Sequence, residues 1–326
     1  MIVNVASIIT DYFLIWQTLI VRAVSALLFV SVLALFQAGE ATAEENRGIL
    51  VINSNTAVKN YELAQAAFTA NSAEIKAKIN LGDSSVDIDT VKKQIRQVNP
   101  DAIYAIGSKA YLLAHDIAED RKIIFSSVLN WQRLPISENS YGISNELSSG
   151  MQLMTYRYLF PKLKKIGLIY SEKFNKEWLS GAVETATDVG MEIVSMPIAE
   201  SAELTSALEK LLPEVDVLWL ISDPIVLADQ ESALEIFSQS AAMKKPVIAY
   251  AEIFSTLGAT LVISADIATM GLQAASLSKD LLEHKKVLQP VADPAGSYIM
   301  LNMKKVKEYG LDLNNEALGS VNQIIE

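Results

Sequence analysis

Small polar residues gather where the apolar runs of this chain end, and their types suit the grip of a small organic ligand. Gly107-Ser108 closes the run Asp101 to Ile106, and Ser126, Ser127 and Asn130 follow Ile123-Ile124-Phe125. Ser222-Asp223 closes Val215 to Ile221. At a helix start, exposed N–H groups and the helix dipole receive a carboxylate, and a carboxylate such as Asp223 pairs with an ammonium. Each group also has a structural alternative. Ser108 and Asp223 are ordinary helix caps, and Ser126 to Asn130 is an ordinary polar loop. Asn53 and Ser54 in the turn after Gly48 to Ile52, and Ser171 after Ile166 to Tyr170, occupy similar strand ends. Tyr170, Trp131 and Tyr250 pack either on an organic side chain or in the core and its rim. Glu252 is a further candidate cleft acid, whereas His115 and His284 fall on predicted helices and read as structural or exposed.

Covalent chemistry has little support. The chain carries no G-x-x-x-x-G-K-[ST] loop, no G-x-G-x-x-G after the first strand, no G-x-S-x-G elbow and no H-E-x-x-H. With no cysteine and 2 histidines, thiol catalysis, disulfides and a multi-histidine metal site are not expected, and no cofactor is expected. A net charge of −11 argues against a nucleic-acid surface, which needs clustered Lys and Arg.

The polar clusters are positioned by strand–turn–helix units. Asp101 to Ile106 reads as a buried parallel strand, followed by a helix from about Lys109 to Glu119 and a second strand at Ile123 to Phe125. The same series recurs: Val215 to Ile221, a helix at Val226 to Ala242, the basic pair Lys244-Lys245, then Val247 to Tyr250. Gly48 to Ser54 likewise resembles Ile166 to Ser171. Three matched pairs in one order predict two similar α/β lobes, each a doubly wound parallel sheet, joined by crossing strands. In such sheets ligands lie outside the carboxyl ends of the strands.

Within the first lobe, helices are expected at Val58 to Ala70 and at Thr90 to Val98, the latter capped by Asp89. Gly142 to Ser144 reads as the exit toward the second lobe. Leu261 to Ser264 and the helix Met270 to Glu283 read as a return to the first lobe, and Tyr298 to Tyr309 as the end of the second. The expected partition is 44–143 with 258–290 for lobe 1 and 144–257 with 291–326 for lobe 2. Residues 1–43 read as an export signal. Arg22 precedes the apolar run Ala23 to Phe36, and Ala41-Thr42-Ala43 forms a cleavage pattern before Glu44. The apolar extension before Arg22 suggests a true start near Val21, and the alternative is a retained membrane anchor.

Taken together, Pro100 to Ala110, Ile123 to Asn130, Tyr141 to Ser144, Leu159 to Ser171, Val215 to Pro224, Lys244 to Glu252 and Leu301 to Leu313 resemble a known family. It is the ABC-transporter substrate-binding proteins that include tryptophan- and aromatic-amino-acid-binding members, with the type I periplasmic-binding-protein fold. The resemblance covers about Gly48 to Glu326. It implies a small-molecule ligand in the cleft, a carboxylate held by Gly107, Ser108, Ser126 and Ser127, and an amino group held by Asp223. It implies a periplasmic location and an inner-membrane ABC permease as partner, with a monomer expected. The chain departs from the family at the turn Asn53 to Thr56, at Ser171 where Asn is common, and at Trp131 where Pro is common. Two other functions remain open at this point: a ligand sensor for a membrane kinase, and a cleft enzyme using Asp223 or Glu252 as base.

Overall fold

The computed structural model describes residues 48–326, apart from residues 73 and 119. The expected export signal lies outside the described residues. Contacts divide the chain at Gly48/Ile49, and the second unit, Ile49–Glu326, contains every strand and helix named below.

Two sheets are built in the same order. The first contains β1 (Ile49–Asn53), β2 (Ile75–Asn80), β3 (Ala102–Ile106), β4 (Lys122–Ser126), β5 (Ser140–Ile143) and the short β11 (Val291–Ala292). Its order is β11-β5-β4-β3-β1-β2, with every pairing parallel. The second contains β6 (Lys165–Tyr170), β7 (Glu192–Pro197), β8 (Val217–Trp219), β9 (Val247–Ala249), β10 (Leu261–Ala265), β12 (Ser297–Asn302) and β13 (Gln323–Ile325). Its order is β13-β12-β10-β9-β8-β6-β7, antiparallel only at β10/β12. Strands β1 to β5 and β6 to β10 thus correspond one by one, so the expected repeat is present as two parallel-sheet α/β lobes.

Burial on both faces explains why the strands are apolar runs and not alternating ones. Leu50, Ile52, Ile103, Ala105 and Phe125 pack with Val91 and Ile95 of α2 (Ile88–Val98) and Tyr111 of α3 (Ser108–Ile117). Val51, Tyr104 and Ile124 face the other way, toward α1 (Lys59–Asn71) and α8 (Ile267–Leu282). Phe68 of α1 stacks on Tyr104 at 4.0 Å between ring centroids. Helices α1 and α8 cross closely at Gly271, where an added Cβ would sit 2.5 Å from the Ala64 carbonyl oxygen.

Two expectations are corrected. Asp87, not Asp89, caps α2, accepting from Thr90 N at 2.7 Å, so that helix starts earlier. Strand β10 does not return to the first lobe: it pairs with β9 and β12 in the second sheet, and only α8 after it packs on the first lobe, against α1, β3, β4 and β5. Conversely, β11 joins the first sheet beside β5. Helix α4 (Ser149–Leu159) packs on α5 (Glu172–Asp188) in the second lobe. The chain therefore crosses between lobes around 144–148, at Asp266 and around 293–296.

Candidate functional site

The loop after β4 turns on two left-handed residues, Ser127 at φ 56° and Asn130 at φ 52°. Asparagine tolerates that conformation better than most residues. The Asn130 backbone N–H donates to Glu146 Oε1, and its side-chain Nδ2 donates to Ser222 Oγ across 2.9 Å. Glu146 stands on the first crossing segment, where its Oε2 accepts from Ser144 Oγ at 2.9 Å. Loop, crossing segment and the end of β8 are thereby tied together at the boundary between the lobes.

A cavity of about 390 Å³ opens there. Its apolar wall includes Phe174 and Trp178 of α5, Trp219 of β8 and Tyr250 after β9; its polar groups include Asn130, Arg133, Asn145, Glu146 and Ser222. Trp219 is fixed by edge-to-face contacts with Trp178 at 5.2 Å and Tyr156 at 5.5 Å. The Arg133 guanidinium lies 4.7 Å from the Phe174 ring centroid. Burial lowers the Arg133 pKa, while the negative charges of Asp223 and Glu146 oppose that shift. Burial pushes the Glu146 carboxyl up, against hydrogen bonds from Asn130 and Ser144 and the attraction of Arg133. The Tyr250 phenol is also raised by burial, opposed by a hydrogen bond with Ser222 and assisted by the Glu146 charge. This volume falls in the range of small-ligand pockets, with few polar groups set in an aromatic surround.

Of the residues singled out from the sequence, Asn130, Ser222 and Tyr250 line this cavity, while the others do not. Asn53 is buried, its amide donating to Tyr61 O and Gln65 Oε1. Ser54 Oγ accepts from Ala110 N at 3.0 Å, and Gly107 N donates to Ser126 O. An added Cβ at Gly107, whose φ is +83°, would meet Ser54 Oγ at 2.7 Å, so the start of α3 is partly covered. Ser126 Oγ and Tyr104 OH are 2.6 Å apart, whereas the buried Ser127 Oγ has no hydrogen-bond partner. Trp131 and Tyr170 are packed against the cores of their lobes. Glu252 is exposed and lies outside the cavity.

Asp223 is 1% exposed and turned into its own lobe. Its Oδ2 accepts from Ser171 N and Oγ, each at 2.7 Å, and from Asn175 Nδ2 at 2.6 Å. Its Oδ1 accepts from Ile225 N and Val226 N. Burial raises its pKa, but these hydrogen bonds outweigh burial and the net shift is downward. Ser108 is half-buried at the first position of α3, at the carboxyl edge of the first sheet.

Sequence reasoning missed Arg133, Asn145, Glu146, Phe174, Trp178 and Trp219. Phe174 and Trp178 carried a usable signal, since aromatics four apart share one helix face. Glu146 carried none beyond its place just after the exit strand.

Two sheets of matching strand order, parallel except at β10/β12, with a pocket at their boundary, define a two-lobed ligand-binding architecture. The family described as ABC transporter substrate binding protein matches residues 63–325, and the chain belongs to that family. A tyrosine-binding protein of Clostridioides difficile strain R20291 is 28% identical over 234 residues, 69% of this chain. The chain spans just under two thirds, 66%, of that relative. Among solved structures, an ABC domain in complex with L-Trp from Streptococcus pneumonia aligns over 86% of this chain and 100% of its own, at TM-score 0.57 and 18% identity. The ligand-free, open structure of a substrate binding protein with adhesive properties from Clostridium difficile aligns over 86% and 99%, at TM-score 0.65 and 18% identity. At those identities the two structures share the fold with this chain.

Proposed function

We propose that this protein is the exported solute-binding component of an ABC importer, taking an amino acid with an aromatic side chain between its lobes and presenting it to an inner-membrane permease. The observation that carries this reading is the boundary cavity, where an aromatic surround of Phe174, Trp178, Trp219 and Tyr250 meets the cationic side chain of Arg133 and the anionic ones of Glu146 and, at the exposed rim, Glu177. An aromatic ring packs edge-to-face or offset on such walls, and opposite charges at one site suit a zwitterion. The relative described as tyrosine-binding and the structural neighbour holding L-Trp support the same ligand class.

The carboxylate end falls to the first lobe: Arg133 from the loop after β4, with Gly107, Ser108 and the unpartnered hydroxyl of Ser127 at the same sheet edge when the lobes close. Lobes 1 and 2 meet at the three crossings, which act as the hinge. The protein is read as a receptor and not an enzyme. Asp223 is held by five hydrogen bonds and Glu252 stands outside the cavity, so neither is placed to act as a base there. Among the described residues, no helix is long and apolar enough to cross a membrane. The test is mass spectrometry of the small molecule released when protein purified from its native host is denatured. An aromatic amino acid is expected; release of a sugar or a product of turnover contradicts the proposal.

A further inference from the structure

We propose that the ligand's ammonium is held by Glu146 with Asn145, on the crossing segment between the lobes, and not by Asp223. This rests on the reading of the cavity as an amino-acid site. Both residues line the cavity, whereas Asp223 does not. The two oxygens of Asp223 already accept five hydrogen bonds from its own lobe. A carboxylate offers about four lone-pair sites, so Asp223 has none to spare for a ligand.

Glu146 is differently placed. Its Oε1 accepts from Asn130 N and its Oε2 from Ser144 Oγ, one donor each, which leaves acceptor capacity on both oxygens. Beside it, Asn145 Oδ1 is buried with no hydrogen-bond partner. A buried acceptor left unpaired is costly, and that cost is recovered when a ligand brings a donor. A carboxylate with open sites next to an empty amide oxygen is a set of acceptors, and a primary ammonium brings three N–H donors and a positive charge.

The groups facing Glu146 fit this assignment. Arg133 on the loop after β4 attracts it, and the Tyr250 phenol feels its charge. A zwitterion entering between Arg133 and Glu146 gives its carboxylate to the first and its ammonium to the second, so each charge gains a closer partner. Because Glu146 also fixes the backbone of Asn130, whose side chain reaches Ser222, ammonium binding is coupled to the contact between the lobes.

The test is calorimetry with L-tryptophan, tryptamine, which lacks the carboxylate, and indole-3-propionate, which lacks the ammonium. Glu146→Gln keeps an oxygen for Asn130 N and removes the charge. Its affinity for L-tryptophan and tryptamine should fall about tenfold or more, as for loss of a charge-assisted hydrogen bond, while that for indole-3-propionate stays within about twofold. Equal losses for all three ligands would show a purely structural role and overturn the assignment. Undiminished L-tryptophan binding in Glu146→Gln overturns it too, leaving the amino-acid reading intact. If wild-type protein binds L-tyrosine and not L-tryptophan, the same comparison is made with L-tyrosine, tyramine and 3-(4-hydroxyphenyl)propionate; wild-type protein that binds neither amino acid overturns both.

Discussion

The side-chain amide of Asn130 donates to the hydroxyl of Ser222 over 2.9 Å, joining the loop after β4 in the first lobe to the end of β8 in the second. One neutral hydrogen bond contributes about 1 kcal/mol net, enough to shift an open–closed equilibrium roughly fivefold. Ser222→Ala removes the bond while Glu146 still holds the Asn130 backbone. Small-angle scattering of the ligand-free variant should report a larger radius of gyration, with Tm little changed. An unchanged radius would mean that this bond does not restrain the lobes.

Asp223 is predicted to act on stability more than on binding. In Asp223→Asn, an NH₂ group must either face the N–H groups of Ile225 and Val226 or those of Ser171 and Asn175. Leaving such buried donors unpaired costs about 1–3 kcal/mol, so Tm should fall by several degrees. A fall in ligand affinity with unchanged Tm would contradict this role.

The same carboxyl sets a pH dependence. Its pKa is depressed in the folded state, so its stabilisation is present above the ordinary aspartate value and lost as pH falls through the lower folded value. The Tm difference between wild type and Asp223→Asn should therefore narrow as pH drops below about 4. A difference that stays constant to low pH would show that the charge is not what stabilises.

Gly271 is predicted to be intolerant of any side chain. Its Cβ would lie 2.5 Å from the Ala64 oxygen and 2.9 Å from Ala67 Cβ, with backbone that cannot swing aside. Gly271→Ala should force α1 and α8 apart and cost about 1–3 kcal/mol in chemical unfolding, the usual range for overpacking. A neutral or stabilising result would mean that the helices slide without loss.

Much of the fold was legible because two lobes repeat one strand series, and apolar strands buried on both faces look alike wherever they occur. The repeat extends one strand further, to β10, where a return to the first lobe was expected. Leu261–Ala265 is the counterpart of Ser140–Ile143, and as the fifth strand it belongs beside β9 in its own sheet. Asp223 was legible as a strand-end carboxylate, but nothing local told which way it points; Ser171 and Asn175, far back in the chain, decide that. The cavity was the least legible feature. Glu146 and Arg133 meet only because a crossing segment and a loop converge, and that long-range geometry leaves no period in the sequence.

Whether an aromatic amino acid occupies the cavity at the lobe boundary is decided by calorimetric titration of L-tryptophan and L-tyrosine into wild-type protein and Trp178→Ala. Trp178 is half-buried on the cavity wall, so its loss removes ring contact while the lobes keep their cores. Dissociation constants of about 1 µM or tighter are expected for at least one of the two, near −8 kcal/mol, weakened about tenfold in Trp178→Ala. The absence of binding heat for both amino acids, or binding that Trp178→Ala leaves unchanged, would rule out this cavity as an aromatic amino-acid site.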